Sequence, residues 1–324
     1  MSEENKQDEW DALSVGERNS KIMASIDGST EGHVKGASAA GTNMIRRRIR
    51  EQGFARKIIP QVSVGNSRLS RVIDHDRPVI IEDMEPNSKG AVSIPFSASA
   101  DASQFYGDKF ECVFHEITTP EFTKDVNELR TYEMDLRQVV TDNSLKDVQT
   151  TEDGYLLSLV DEIVGATDGV GLSGVKQNFT VAAQISRTNY VDVLSVLEDQ
   201  NLNNGVFLCN RKTAKAFLKF KRDEIGGDLS QALFEDGLSA LSSSTVMGIK
   251  HIFTIKRDLV PDGVIYMFTS PNFLGRHYSL QNLTQFVEKK KNIISFSARE
   301  TISMTIANLA GVAKVTFQMP TALT

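Results

Sequence analysis

Gly169-Val170-Gly171-Leu172-Ser173-Gly174 is a literal dinucleotide fingerprint, and Asp192 lies about 20 residues on, where an acid would take ribose hydroxyls. That chemistry needs a strand before the glycines and a helix after them, because the helix N-terminus holds the pyrophosphate. Here a helical pattern precedes the glycines, and residues 175–181 alternate like a strand. The stretch therefore reads as a helix-to-strand joint, with a nucleotide-binding α/β enzyme kept as a rival. Arg46, Arg47, Arg48, Arg50, Arg56 and Lys57 form the strongest charge anomaly. Such a cluster suits sequence-independent, salt-sensitive phosphate contact. It equally suits a solvated helix face or a pairing with acidic neighbours. Phe54 is the one aromatic nearby, so base stacking is not expected.

Other catalytic chemistry is poorly represented. The 5 histidines, at 33, 75, 115, 251 and 277, have no chelating spacing. His75, between Asp74 and Asp76, reads as a polar loop. No Gly-x-Ser-x-Gly elbow occurs. Cys209 sits within an apolar strand pattern, as a small buried hydrophobe does. Asp125, Glu128, Glu133 and Asp135 alternate with Lys124 and Arg130, as on a solvated surface. No catalytic residue, metal ligand or cofactor site is assigned, and the chain is expected not to be an enzyme.

The elements that would position these residues fit a soluble chain of 324 residues, 40% hydrophobic and 24% charged. A net charge of −6 gives no global reason for nucleic-acid binding. No apolar run approaches the roughly 20 residues that span a bilayer. The acidic N-terminus lacks the apolar centre of a signal peptide. With 2 cysteines there is no disulfide scaffold, which suits synthesis in a reducing cell interior.

Residues 1–42 are polar and Gly/Ser-rich, an arm with a short helix near 10–23. Thr42 or Asn43 can cap a helix over 44–51, with Ile45 and Ile49 on one face and arginines around the rest. Residues 57–64 read as an extended tail with Pro60 at a sheet edge. Residues 142–166 predict a helix starting at Thr141 or Asp142, apolar over its second half and too polar to bury its first. Residues 187–197 predict a helix with Tyr190, Val193, Leu194 and Leu197 inward, 205–210 a buried strand, and Asn210 the start of a helix carrying Ala214, Phe217 and Leu218. A polar excursion at 222–246, with a short helix near 229–234, leads to strands at 249–255, 264–269, 293–297, 301–308 and 312–317. Pro261-Asp262-Gly263 reads as a turn.

Between the two helical regions lies an extended segment, 72–130. Its strand-like pieces are 77–81, 91–96 and 109–117, joined by Pro, Asn, Ser, Gly and Asp. A two-stranded ribbon is marginal in water unless a further layer covers it. No cover is evident nearby in sequence, so the rest of the chain or a second copy must supply it.

This order of arm, basic helix, tail, ribbon, long helix, α/β domain and returning strands resembles the major capsid proteins of tailed bacteriophages. The resemblance runs from about residue 43 to the end. Its most telling parts are Val246-Met247-Gly248-Ile249-Lys250-His251-Ile252-Phe253, Val260-Pro261-Asp262-Gly263-Val264-Ile265-Tyr266-Met267-Phe268, and the strands from Ile294 to Val315. It implies an α+β, Hong Kong 97-type capsid fold, shared with encapsulins and the herpesvirus floor domain. The implied parts are a flexible segment (1–42), an N-arm (43–71), an extended loop (72–130), a peripheral domain with a spine helix (131–186), an axial domain (187–274) and strands returning to the peripheral domain (275–324). The implied function is a self-assembling icosahedral head around double-stranded DNA, located in the virion and assembled in the bacterial host cytoplasm. An encapsulin-like compartment is the alternative.

The implied partners are copies of the chain in hexamers and pentamers, portal and scaffolding proteins, a decoration protein, and packaged DNA met non-specifically, with no membrane. Expected inter-subunit contacts are Ile45, Ile49, Ile58, Val62, Val79, Ile81, Ile94, Phe96, Phe105, Phe110 and Phe114. Arg46, Arg47, Arg48 and Arg50 are expected to face DNA or scaffold. Gly226-Gly227 and Ser242-Ser243-Ser244 would let 222–246 adapt at the five- and six-fold axes. Some members cross-link Lys to Asn; Lys89 and Asn308 supply the residue types without a matching motif.

Overall fold

A computed structural model describes residues 53–85, 93–96, 99, 107–125, 136–217, 245, 246 and 248–319. The described chain opens with one helical turn, α1 (Ala55–Ile58), and an edge strand, β1 (Gln61–Ser63), directly after Pro60. β2 (Val79–Asp83) and β3 (Lys109–Val113) form an antiparallel ribbon. β4 (His115–Thr118) and β5 (Phe122–Asp125) lead to the 29-residue helix α2 (Leu136–Val164). β6 (Asn178–Val181), α3 (Arg187–Glu198), β7 (Val206–Asn210) and α4 (Arg211–Ala214) come next. Then follow β8 (Thr245–Val246), β9 (Ile249–Thr254), β10 (Val264–Phe268) and the turn α5 (Pro271–Leu274). A long hairpin, β11 (Gly275–Lys290) and β12 (Ile293–Ile306), precedes the last strand, β13 (Val312–Phe317).

Two sheets carry the architecture. One is six-stranded, in the order β6-β13-β10-β7-β9-β8. The other is built on the β11–β12 hairpin, with β1 parallel on the outer edge of β11, and β4 and β5 both antiparallel on β12. The α+β class read from the sequence is the class observed.

Alternation places the core. Val206 and Leu208 of β7 point to one face of the six-stranded sheet, and Phe207 and Cys209 to the other. Leu156, Leu157, Val160, Ile163 and Val164 of α2 cover the first face, joined by Phe54, Ile58 and Ile59 from the N-terminal turn. Tyr190, Val193 and Leu197 of α3 cover the second with Phe217. Every residue of β7 and β10 is buried, because both faces are roofed by helices. Ser186 caps α3, accepting from the Asn189 amide, and Asn210 caps α4, accepting from the Thr213 amide at 2.7 Å. Gly263 closes the expected turn with φ 85°, and a Cβ there would lie 2.4 Å from the Phe317 carbonyl oxygen.

Several expectations need correction. α2 starts at Leu136, ahead of Thr141 and Asp142, and one side of its polar part is buried while Lys146, Asp147, Thr150 and Thr151 are exposed. Ser144, Gln149, Glu152 and Asp153 are all under 5% exposed, because this half of the helix crosses the long hairpin, where Val148 meets Ile117, Leu283, Ala298 and Ile302. The strands expected at 293–297 and 301–308 are one strand, since Arg299 and Glu300 stay paired to Thr118 and Ile117. The local pattern predicts no strand over 275–290, although the resemblance implies strands from 275 on; Gln281, Asn282, Thr284, Gln285 and Glu288 hide the pattern of β11. Residues 93–96 are not a strand. Residues 115–125 leave the ribbon and pair with β12, while β13 returns to the six-stranded sheet between β6 and β10. The helices read at 10–23, 44–51 and 229–234, the residues flanking Lys89, and Leu218 lie outside the described residues.

Candidate assembly surface and buried charge cluster

The glycine fingerprint sits at the wrong pole of a helix for a phosphate. Gly165 ends α2 with φ 65°, and the Leu172 amide donates to the Ile163 carbonyl at 2.9 Å. Asn178 Nδ2 donates to the Gly165 carbonyl at 2.8 Å. A Cβ on Gly171 would stand 2.4 Å from the Ile163 oxygen, so that glycine is required by the close approach of the loop to the helix end. The glycines thus face a helix C-terminus, whose partial charge is negative and repels a pyrophosphate. The strand β6 follows where the motif demands a helix. This geometry overturns the nucleotide-binding reading.

The ribbon is partly roofed by its own chain. Val79, Ile80, Cys112 and Phe114 are each no more than 2% exposed, and the last three pack with Val64 and Tyr278. Tyr278 also donates its hydroxyl to Glu82 at 2.7 Å, and Arg68 pairs with the same carboxylate at 2.8 Å. Of the residues expected at inter-subunit contacts, Ile58, Val79 and Phe114 are therefore used inside the chain, which corrects their assignment: a fully covered side chain has no surface left for a neighbour. Phe110 is half-buried against the same cluster. Val62, Ile81, Ile94 and Phe96 are exposed, at 49%, 46%, 42% and 104%. Ile73, which the sequence did not single out, is also fully exposed. Ile45, Ile49, Phe105, Arg46, Arg47, Arg48 and Arg50 lie outside the described residues.

Arg56 belonged to the basic cluster in sequence, and it is neither solvated nor open to a phosphate. Its Nε meets Glu152 of α2 at 2.9 Å and its second guanidinium nitrogen meets Glu300 of β12 at 2.7 Å. Gln61 of β1 donates to the same Glu300 oxygen at 3.1 Å. Asp153 accepts from the Ala55 amide at 2.9 Å and from Lys256 Nζ at 2.7 Å. His277 of β11 lies 3.5 Å from Glu152. Burial pushes the Glu152 carboxyl up to about 7 despite Arg56, and burial, with Arg56 beside it, lowers His277 to about 3. Burial pulls Arg56 down, and the two carboxylates carry it above its ordinary value. The cluster locks the N-terminal turn to the long helix and the hairpin. Its signal in sequence was the pair Glu152-Asp153 in a helix that is otherwise turning apolar.

Elsewhere the titratable groups are structural. His251 accepts from or donates to the Tyr190 hydroxyl at 2.8 Å and the Ile249 carbonyl at 2.8 Å; the carbonyl can only accept, so Nδ1 carries the proton and Nε2 accepts from Tyr190. Burial lowers His251 to about 4 and pushes the Cys209 thiol up, in keeping with a buried, inert cysteine. His75 is a half-exposed loop residue, 3.7 Å from Glu111. Among the described residues no three His, Cys, Asp or Glu side chains are grouped to hold a metal ion. An open depression of about 520 Å³ lies at the C-terminal end of α3, lined by Glu198, Asn201, Asn203 and Asn204 among others.

No protein-family model matches the sequence, and no curated protein matches it. The fold does have solved counterparts. The mature capsid of bacteriophage PhiM1 is similar over 83% of this chain and 88% of its own, at 9% identity and a TM-score of 0.55. The capsid of the native GTA particle is similar over 82% and 89%, at 16% identity and a TM-score of 0.56. The chain has the Hong Kong 97-type capsid fold. The virus-like particle of Pyrococcus furiosus is similar over 88% of this chain and 100% of its own, at 12% identity and a TM-score of 0.50. At these identities the likeness is one of fold.

Proposed function

We propose that this chain is a major capsid protein that assembles with copies of itself, in hexamers and pentamers, into an icosahedral head enclosing phage DNA. The observation that carries the reading is the capsid-shell fold, matched over more than four fifths of the chain. The exposed side chains fit it: Ile81 lies on the ribbon and Ile94 and Phe96 in the chain between its two strands, where an extended loop would lie across a neighbour. Intertwined shell contacts of this kind bury roughly 2,000–5,000 Å² each, and many simultaneous contacts give avidity. Arg46, Arg47, Arg48 and Arg50 face DNA or acidic scaffold in this reading. Portal, scaffolding and decoration proteins complete the particle, which forms in the host cytoplasm.

An encapsulin-like compartment is the second reading, favoured by the match to the full length of the virus-like particle chain. Light scattering and electron micrographs of the purified protein test the proposal. Closed shells, together with recovery of DNA-filled particles from the host, support a phage head. Shells that load protein cargo and no DNA support the compartment. A stable small oligomer at all concentrations refutes both.

A further inference from the structure

The buried cluster is one positive charge short. Arg56 faces both Glu152 and Glu300, and the three side chains are 12%, 2% and 1% exposed. Asp153 and Lys256 neutralise each other and do not change that count. His115 of β4, lowered by burial and by Arg77, packs on the Tyr155 ring at 4.4 Å and is close enough to His277 to help lower it. A buried net charge is costly, so the cluster must retain one proton to be neutral. The place for it is between Glu152 and His277, whose Nε2 lies 3.5 Å from the carboxylate while the ring also meets the Ile59 backbone. Both groups are covered by the docked N-terminal segment: Arg56 reaches Glu152, and Gln61 pairs in register with His277. Lifting that segment exposes the two groups together.

We propose that Glu152 and His277 are a proton-exchanging pair that keeps residues 54–63 docked independently of pH across the mildly acidic range, one proton staying with the pair whether the segment is docked or lifted. When docked, the proton is held in the buried pair. When lifted, the solvated carboxyl ionises and the solvated imidazole takes the proton. The proton count is equal in the two states between the ordinary carboxyl and imidazole values, about 4.5 and 6.5, so docking there has no pH slope. The cancellation needs both partners. Without the carboxyl, docking strengthens as pH rises, because only the lifted imidazole binds a proton. Without the imidazole, docking weakens as pH rises, because only the docked carboxyl holds one. The pair is a property of the single chain, so it stands or falls separately from the shell reading.

Hydrogen exchange of the amides at 54–63 in the full chain, corrected for the intrinsic effect of pH, reads the docking equilibrium. Between pH 5 and 6.5 the parent chain is expected to keep the same protection. Glu152→Gln is expected to gain about tenfold in protection over that interval and His277→Gln to lose about tenfold. The double variant is expected to be flat again. Single variants as flat as the parent, or sloping in the same direction, overturn the pairing. If one single variant does not fold, the sign of the other's slope decides alone.

Discussion

Replacing Arg56 with methionine tests how much the N-terminal turn depends on its buried ion cluster. Methionine keeps most of the length and apolar surface of the arginine stem and removes the guanidinium. Glu152 and Glu300, both 2% exposed or less, are left facing each other with Gln61 as their remaining donor. Removing one partner from a buried charged group costs about 3–5 kcal/mol, since the orphaned charges cannot regain water. That penalty should be met near pH 8. It should shrink toward pH 5, because Glu152, pushed up to about 7 by burial, takes a proton there and removes an uncompensated charge. The assay is urea unfolding of the unassembled chain at the two pH values, followed by far-ultraviolet circular dichroism, with parent and variant compared at each. A loss below about 1 kcal/mol at pH 8, or the same loss at both values, would refute the view that Arg56 balances buried carboxylates.

Two further outcomes follow from named side chains. His251 is lowered to about 4 in the fold from an ordinary 6.5, so the unfolded chain binds the extra proton between them; stability is complete above 6.5 and falls by about 3 kcal/mol as pH drops through 4. His251→Gln, which cannot charge, should flatten the acid limb of the thermal midpoint against pH, and an unchanged limb counts against this histidine as its source. Ile94→Ser with Phe96→Ser removes two exposed side chains, so the unfolding free energy should change by less than about 0.5 kcal/mol while shell yield in electron micrographs drops. Full shell yield from that variant would take these residues out of the assembly contacts.

The sequence was most legible where one physical rule dominated. Tyr190, Val193 and Leu197 at helical spacing, Asn210 as a cap, and the unbroken apolar β10 each announced their element, and each is found as read. The glycine fingerprint was correctly refused on context alone, since a helix precedes it and a strand follows. Legibility failed where tertiary contacts override local pattern. Glu152 and Asp153 look solvated in a linear reading because their partners, Arg56 and Lys256, are distant in sequence. β11 alternates polar residues with Leu283 and Val287 over two bulged registers near residues 279–284, which erases a period of two. The cover over the ribbon was invisible for the same reason: Tyr278 comes from that unrecognised strand.

The covered ribbon base changes how folding and assembly divide the work. Had Val79, Ile80, Cys112 and Phe114 been bare, the chain would need a neighbour to complete a core, and folding would be inseparable from assembly. They are instead buried, and Ile80, Cys112 and Phe114 pack with Val64 and Tyr278, so the ribbon is rooted on the β11–β12 hairpin before any partner arrives. The N-terminal turn is rooted likewise: Phe54, Ile58 and Ile59 enter the main core, and Arg56 ties the same turn to α2 and β12. Both extensions proposed to reach neighbours therefore leave from fixed points on one hairpin and one helix. A lever anchored at its root transmits a shift of the hairpin to its far end, and an unanchored one does not. The anchoring contacts, more than the exposed apolar tips, are what would make the geometry of one subunit felt by the next.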